Sequence, residues 1–81
     1  MILDRITCDP KMMQGKPCIR GMRITVALVM NLLANGMTTQ QIIEEYPDLV
    51  EEDIRQCLRY AAWLAEDYDI PSPERSIAIP G

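Results

Sequence analysis

Two helix starts and two helix stops are packed between Thr25 and Pro47, and no feature of the chain limits its fold more. Thr25 is an N-cap residue whose hydroxyl can accept from a free N–H of the first turn, and Gly36 supplies the left-handed residue that ends a helix. A first helix is expected between them, from about Val26 to Asn35. Thr38, with Gln41 three residues later, makes a capping box, and Pro47 closes a second helix of about Thr39 to Tyr46. After the turn Pro47-Asp48-Leu49-Val50, the acidic run Glu51-Glu52-Asp53 suits the positive end of a helix dipole. It opens a third helix that runs to about Ala65 or Asp67.

Periodicity assigns the faces. Ile54, Leu58, Ala61 and Ala65, with Cys57 and Leu64 beside them, recur at helical spacing and should face inward, leaving Arg55, Gln56, Arg59 and Glu66 outward. In the second helix Ile42, Ile43 and Tyr46 form the inner edge. The first helix is apolar from Val26 to Ala34 except for a polar stripe at Asn31 and Asn35, which is wider than one core face requires. Its second side needs a cover, either the amino-terminal strands or another subunit.

The segment before Thr25 cannot be helical, because Asp9-Pro10, Gly15-Lys16-Pro17 and Gly21 interrupt it. Short strands are expected at Arg5-Ile6-Thr7-Cys8 and Cys18-Ile19-Arg20. The tail from Asp67 to Gly81 has Pro71, Pro73 and Pro80 and no helical period. Ile77 and Ile79 alternate with small or polar residues, so with Ile70 they are candidate partner contacts, as an added strand on a partner's sheet. A strand against this chain's own amino-terminal segment, or a frayed end, fits the same pattern. The fold class is mainly α: a three-helix bundle with a helix-turn-helix, preceded by a short β-strand segment. Residues 1–66 form a single domain (strand segment 1–24) and 67–81 an extended tail.

With 81 residues there is room for one thin core, and the absence of Phe leaves it to Leu, Ile, Val, Met and Ala. No apolar run approaches the ~18 residues of a membrane span or resembles a signal segment, so a cytoplasmic protein without membrane contact is expected. Cys8, Cys18 and Cys57 form an odd set without CxxC spacing and are read as reduced packing residues. A Cys8–Cys18 bridge would require their segments to pair. The chain has no histidine, which removes the commonest general base and the commonest metal ligand together; neither an enzyme nor a bound metal or cofactor is expected. The acidic runs Glu44-Glu45 and Glu51-Glu52-Asp53 do not converge on a metal, since adjacent residues on a helix point apart. Gly15-Lys16 has Pro17 where a phosphate loop needs Ser or Thr.

What remains is binding. A short capped helix, a tight turn and a longer helix make a helix-turn-helix, whose second helix enters the major groove in DNA-binding examples. Arg55, Gln56 and Arg59 are then candidate contacts to bases or phosphates. Glu51, Glu52 and Asp53 at the leading end oppose phosphates, so a structural bundle that touches no DNA fits equally. Charge is uneven: Met1 to Ile24 carries five basic residues against two acidic ones, the remainder three against ten. Lys16, Arg20 and Arg23 in that basic arm are candidate phosphate contacts. With so few cations, two copies would bind DNA better than one, and the over-apolar first helix suits a homodimer.

The pattern Ile6-Thr7, Asp9-Pro10, Gly15-Lys16-Pro17-Cys18-Ile19-Arg20-Gly21-Met22-Arg23-Ile24, Leu32-Leu33-Ala34-Asn35-Gly36, Ile42-Ile43, and Tyr46-Pro47 through Asp53-Ile54 to Tyr60-Ala61 resembles the small prokaryotic family called domain of unknown function 433. The likeness covers roughly Ile6 to Ala62. It implies a homeodomain-like helix-turn-helix and a VapB-like antitoxin of a type II toxin-antitoxin pair, whose partner is a PIN-like ribonuclease toxin. It also implies binding to operator DNA for autoregulation; a stand-alone DNA-binding regulator without a toxin is the alternative. Val50 departs from the family pattern, which usually has Thr or Ser capping the third helix. That forfeits a cap worth about 1 kcal/mol unless Asp48 takes over from an earlier start. Cys18 and Met22 also stand where other small or β-branched residues are common.

Overall fold

Helix-capping chemistry and one shared carboxylate account for most of the architecture in the computed structural model, which describes residues 3–66. In chain order the elements are β1 (Ile6–Thr7), a single 3-10 turn at Met13–Gly15, β2 (Cys18–Ile19), α1 (Val26–Ala34), α2 (Thr39–Glu45) and α3 (Glu51–Glu66). The chain is thus mainly α, three helices with a two-stranded antiparallel sheet at the amino-terminal side. The tail, with Ile70, Ile77 and Ile79, lies outside the described residues.

Each helix begins and ends for a local reason. Thr25 Oγ1 accepts from Leu28 N at 3.0 Å. After Ala34, Gly36 at φ 95° lets its own N–H reach the Leu33 carbonyl and the Met37 N–H reach the Leu32 carbonyl, a Schellman closure. In the expected capping box, Gln41 N donates to Thr38 Oγ1 at 3.1 Å and Thr38 N to Gln41 Oε1 at 2.9 Å. Leu49, 1% exposed, anchors the turn between α2 and α3 in the core. That core gathers Ile19 of β2, Val26 and Val29 of α1, Ile42 of α2, Leu49 of the turn, and Ile54 and Cys57 of α3, with Ile6 of β1 packed against its edge.

β1 and β2 pair with Ile6 opposite Ile19 and Thr7 opposite Cys18. The chain reverses after β2 through Arg20 and Gly21, both at positive φ (48° and 70°), and Met22 N donates to the Ile19 carbonyl at 2.9 Å. Positive φ at both central residues matches the twist of a hairpin but is unfavourable for an arginine. The position is held by the Arg20 side chain. Its Nε and Nη2 donate to Asp53 Oδ1 and Oδ2 at 3.1 and 3.0 Å, and Nη2 also donates to the Asp48 carbonyl.

Asp53 does more than suit the dipole of its helix. Its side chain is fully buried and carries two ion pairs, from Arg20 and from Arg5 Nη1 at 3.1 Å. Its Oδ2 also accepts from Val50 N at 2.9 Å. This last bond replaces the missing hydroxyl cap: the acid three residues into α3 reaches back to the residue that precedes it, half of a capping box, and no earlier start at Asp48 is needed. The inner face of α3 is rotated accordingly. Asp53, Ile54, Gln56 and Cys57 are buried, whereas Leu58 (46% exposed), Leu64 (38%) and Ala65, expected inside, lie at the surface.

Burial pushes the Asp53 carboxyl up, but bonds from Arg20, the Val50 N–H and Arg5 outweigh it and hold the group below its ordinary 3.8. The unfolded chain therefore takes up this proton first, so the stabilisation is complete above about pH 4 and is lost as pH falls through the lower folded value. Asp53→Ala should cost about 3 kcal/mol in urea unfolding at neutral pH, from lost charged hydrogen bonds and a lost cap. Asp53→Asn should show a shallower loss of stability than the wild type as pH is lowered below about 4.

Candidate functional site

Of the six side chains that the sequence offers to DNA, the fold leaves three exposed without an ion-pair partner among the described residues. Gln56 is not outward. It is 5% exposed, its Oε1 accepts from Arg5 N at 2.9 Å and its Nε2 donates to Asp4 Oδ1 at 2.7 Å, so its amide clasps the amino-terminal arm to α3. Arg20 donates from one edge of its guanidinium, through Nε and Nη2, to both oxygens of Asp53, which together with the nearby Asp48 strengthens its hold on the proton. Arg55 does face solvent, but Glu52 takes its Nη1 at 2.6 Å and Glu51 its Nη2 at 3.4 Å, one turn earlier on the same helix. Its charge is locally cancelled.

Lys16, Arg23 and Arg59 remain exposed. They come from the loop before β2, the loop before α1 and the middle of α3, so no one element presents them together. The opposite charge is better organised. Glu44 and Glu45 at the end of α2, Asp48 in the turn, and Glu51 at the start of α3 are all exposed, with Glu52 half-buried beside them. The helix-turn-helix therefore presents an acidic ridge at the end where a recognition helix would lead into DNA.

A second surface lies between the amino-terminal half of α1 and the carboxy-terminal half of α3. There an open groove of about 350 Å³ is walled by Val26, Ala27 and Met30 on one side and Tyr60, Ala61 and Leu64 on the other, with Lys16, Pro17 and Thr25 completing it. The Tyr60 and Trp63 rings stand 6.1 Å apart at its margin, and Trp63 is 45% exposed. Thus the amino-terminal strands cover only part of the surplus apolar surface of α1. Sequence periodicity missed the groove, because it assigned Ala61 and Leu64 to the inward stripe, whereas both line an open groove beside α1. Asp53 and Arg5 were missed too, although the spacing Val50-x-x-Asp53 carries the signal of a one-sided cap.

Among the described residues no group of His, Cys, Asp and Glu converges on a metal position, and no helix is long and apolar enough to cross a membrane. The cysteines are free: Cys18 and Cys57 are buried as expected, while Cys8, read as a packing residue, is exposed beyond the end of β1. Pairing of the strands places Thr7, not Cys8, opposite Cys18, whose Sγ lies 3.3 Å from the Lys16 carbonyl. Burial and the neighbouring Asp53 raise the Cys57 thiol to about 11. Ellman's reagent should titrate one thiol rapidly in the native protein, removable by Cys8→Ser, and the other two at unfolding.

Comparison with known proteins agrees with this architecture. A solved crystal structure, of a DUF433 member protein from Anabaena variabilis ATCC 29413, superposes with a TM-score of 0.73 at 25% identity. The match covers 79% of this chain and 63% of that one, so the chain spans less than two thirds of its structural relative. No curated protein matches. The family model described as "Protein of unknown function (DUF433)" matches residues 6–61, well over half of the sequence, and the chain accordingly belongs to the DUF433 family.

Proposed function

We propose that this protein is a cytoplasmic, antitoxin-like binding protein, not an enzyme, that neutralises a PIN-like ribonuclease toxin by direct contact and acts as a homodimer. The observation that carries this reading is the state of the third helix. A base-reading helix needs free donors at its leading end, and here Arg55 is cancelled by Glu51 and Glu52 while Gln56 is buried. What the helix-turn-helix offers instead is the acidic ridge from Glu44 to Glu52. A ribonuclease must hold a polyanion and so surrounds its cleft with cations, and an exposed row of carboxylates is complementary to such a surface. Ile70, Ile77 and Ile79 of the tail are proposed as further toxin contacts, supported only by the alternation of Ile77 and Ile79 with small or polar residues.

Binding to operator DNA is a secondary role in this proposal. Lys16, Arg23 and Arg59 would carry it as phosphate contacts, without the direct reading that Arg55 and Gln56 were expected to supply. The same three cations favour the second reading, a stand-alone DNA-binding regulator.

Co-expression with the product of the adjacent gene should give a stable complex in which ribonuclease activity is suppressed; repeated recovery of this chain alone would count against the proposal. Charge reversal at Glu44, Glu45 and Glu51 together should weaken the complex while leaving helical circular dichroism intact. In a salt series on upstream DNA, Arg23→Ala and Arg59→Ala should each lower the slope of log affinity against log salt by about 1, and Gln56→Ala should act only through stability. No shift at low salt removes the DNA role.

A further inference from the structure

The connection from α1 to α2 runs through Asn35-Gly36-Met37 to the Thr38 cap, and it holds the one asparagine of the chain that precedes a glycine. Both members of the pair are exposed. In such a pair the side-chain amide carbon lies within reach of the next backbone nitrogen, and glycine, lacking a Cβ, neither shields that nitrogen nor restricts its approach. Asn31, the other asparagine, precedes Leu32 inside α1, where a bulky side chain and the helix itself oppose the same approach.

In the folded chain the pair is held out of reaction. Asn35 has ψ 6°, which eclipses the Gly36 nitrogen with the nitrogen of Asn35, whereas attack on the side chain needs it beside Cβ. The Gly36 N–H donates to the Leu33 carbonyl at 3.0 Å, and the Met37 N–H to the Leu32 carbonyl at 3.1 Å. Turning the Asn35–Gly36 peptide toward the side chain breaks both bonds, so the Schellman closure must open first. No packing adds to that restraint: a Cβ at Gly36 would meet no atom within 4 Å.

We infer that Asn35 is a deamidation site gated by the end of α1. The Gly36 nitrogen loses its proton and bonds to Asn35 Cγ, the Cγ–Nδ2 bond breaks, and ammonia leaves with that proton as a succinimide ring closes. Water then opens the ring at either carbonyl and leaves an aspartyl or an isoaspartyl residue at position 35, with no oxidant or cofactor consumed. Either product sets a carboxylate at the negative end of the α1 dipole, where the last turn has no basic residue to offset it. The isoaspartyl form also runs the main chain through Cβ, and the added atom takes the Gly36 and Met37 N–H groups out of register with their carbonyls. Met37 packs against the core, so the change reaches beyond the turn. A passing opening of the α1–α2 connection thereby becomes a permanent one.

The test compares the full chain folded in buffer with the same chain in concentrated urea, both at mildly alkaline pH, by peptide mass spectrometry with isoaspartate detection. In urea Asn35 should react faster than Asn31, and faster than Gln14, which also precedes a glycine but must close a larger ring. Gly36→Ala should slow it several-fold there, a comparison that needs no folded variant. In the folded chain the Asn35 rate should fall at least about 10-fold, because the closure is open only part of the time. Chain aged in urea and refolded should unfold at a lower urea concentration than fresh chain, with Asn35→Asp, which adds the charge without the extra main-chain atom, between them. Asn35 reacting no faster than Asn31 in urea overturns the site, and equal rates in the folded and unfolded chain overturn the gate. Aged chain as stable as fresh overturns the consequence for α1.

Discussion

The carboxylate of Asp53 is where the three parts of this small protein meet. Its two oxygens receive Arg5 from the amino-terminal arm, Arg20 from the hairpin turn and the Val50 N–H from the start of its own helix. A buried carboxylate is costly unless every lone-pair direction is used, and here the partners are charged and come from segments that would otherwise have little to hold them. The two-residue strands are too short to be stable alone. They are fixed because the arginines beside them end on α3, and Gln56, one turn on, completes the clasp by bonding Arg5 N and Asp4.

This explains which parts of the fold were legible in the sequence. Thr25, Gly36, Thr38 with Gln41, and Pro47 act on backbone groups within a few residues of themselves, so their meaning is local and the helix limits follow almost to the residue. Asp53 and Gln56 act on residues 33 to 52 positions away, and nothing in their own neighbourhood announces that. Periodicity placed apolar Leu58 and Leu64 inside and polar Gln56 outside, because a pattern rule prices an amide as solvated. The arm reversed that preference by presenting a donor and an acceptor where the amide could use both. The same long-range contacts took two of the six candidate DNA contacts: Arg20 and Gln56 look like free polar groups until the arm is docked.

The resulting surface is divided. The carboxylates at the end of α2 and the start of α3 are exposed around one turn, and the apolar groove, with one lysine, shares no residue with them. Arg55 sits on the acidic end yet contributes no net field, since Glu51 and Glu52 enclose it. The function proposed above accordingly relies less on a reading helix than on these two unlike surfaces.

The clasp also sets an order of events. Arg5 and Asp53 are 48 positions apart in the chain, so their pairing closes a loop that spans all of α1 and α2. During synthesis the arm leaves the ribosome first and has nothing to bind until the start of α3 emerges. The helices, whose caps and turns are local, can form while the strands are still unpaired. The arm, made before the helix it docks on, thus settles only after that helix has emerged, and until then Arg5 and Arg20 remain uncompensated by Asp53.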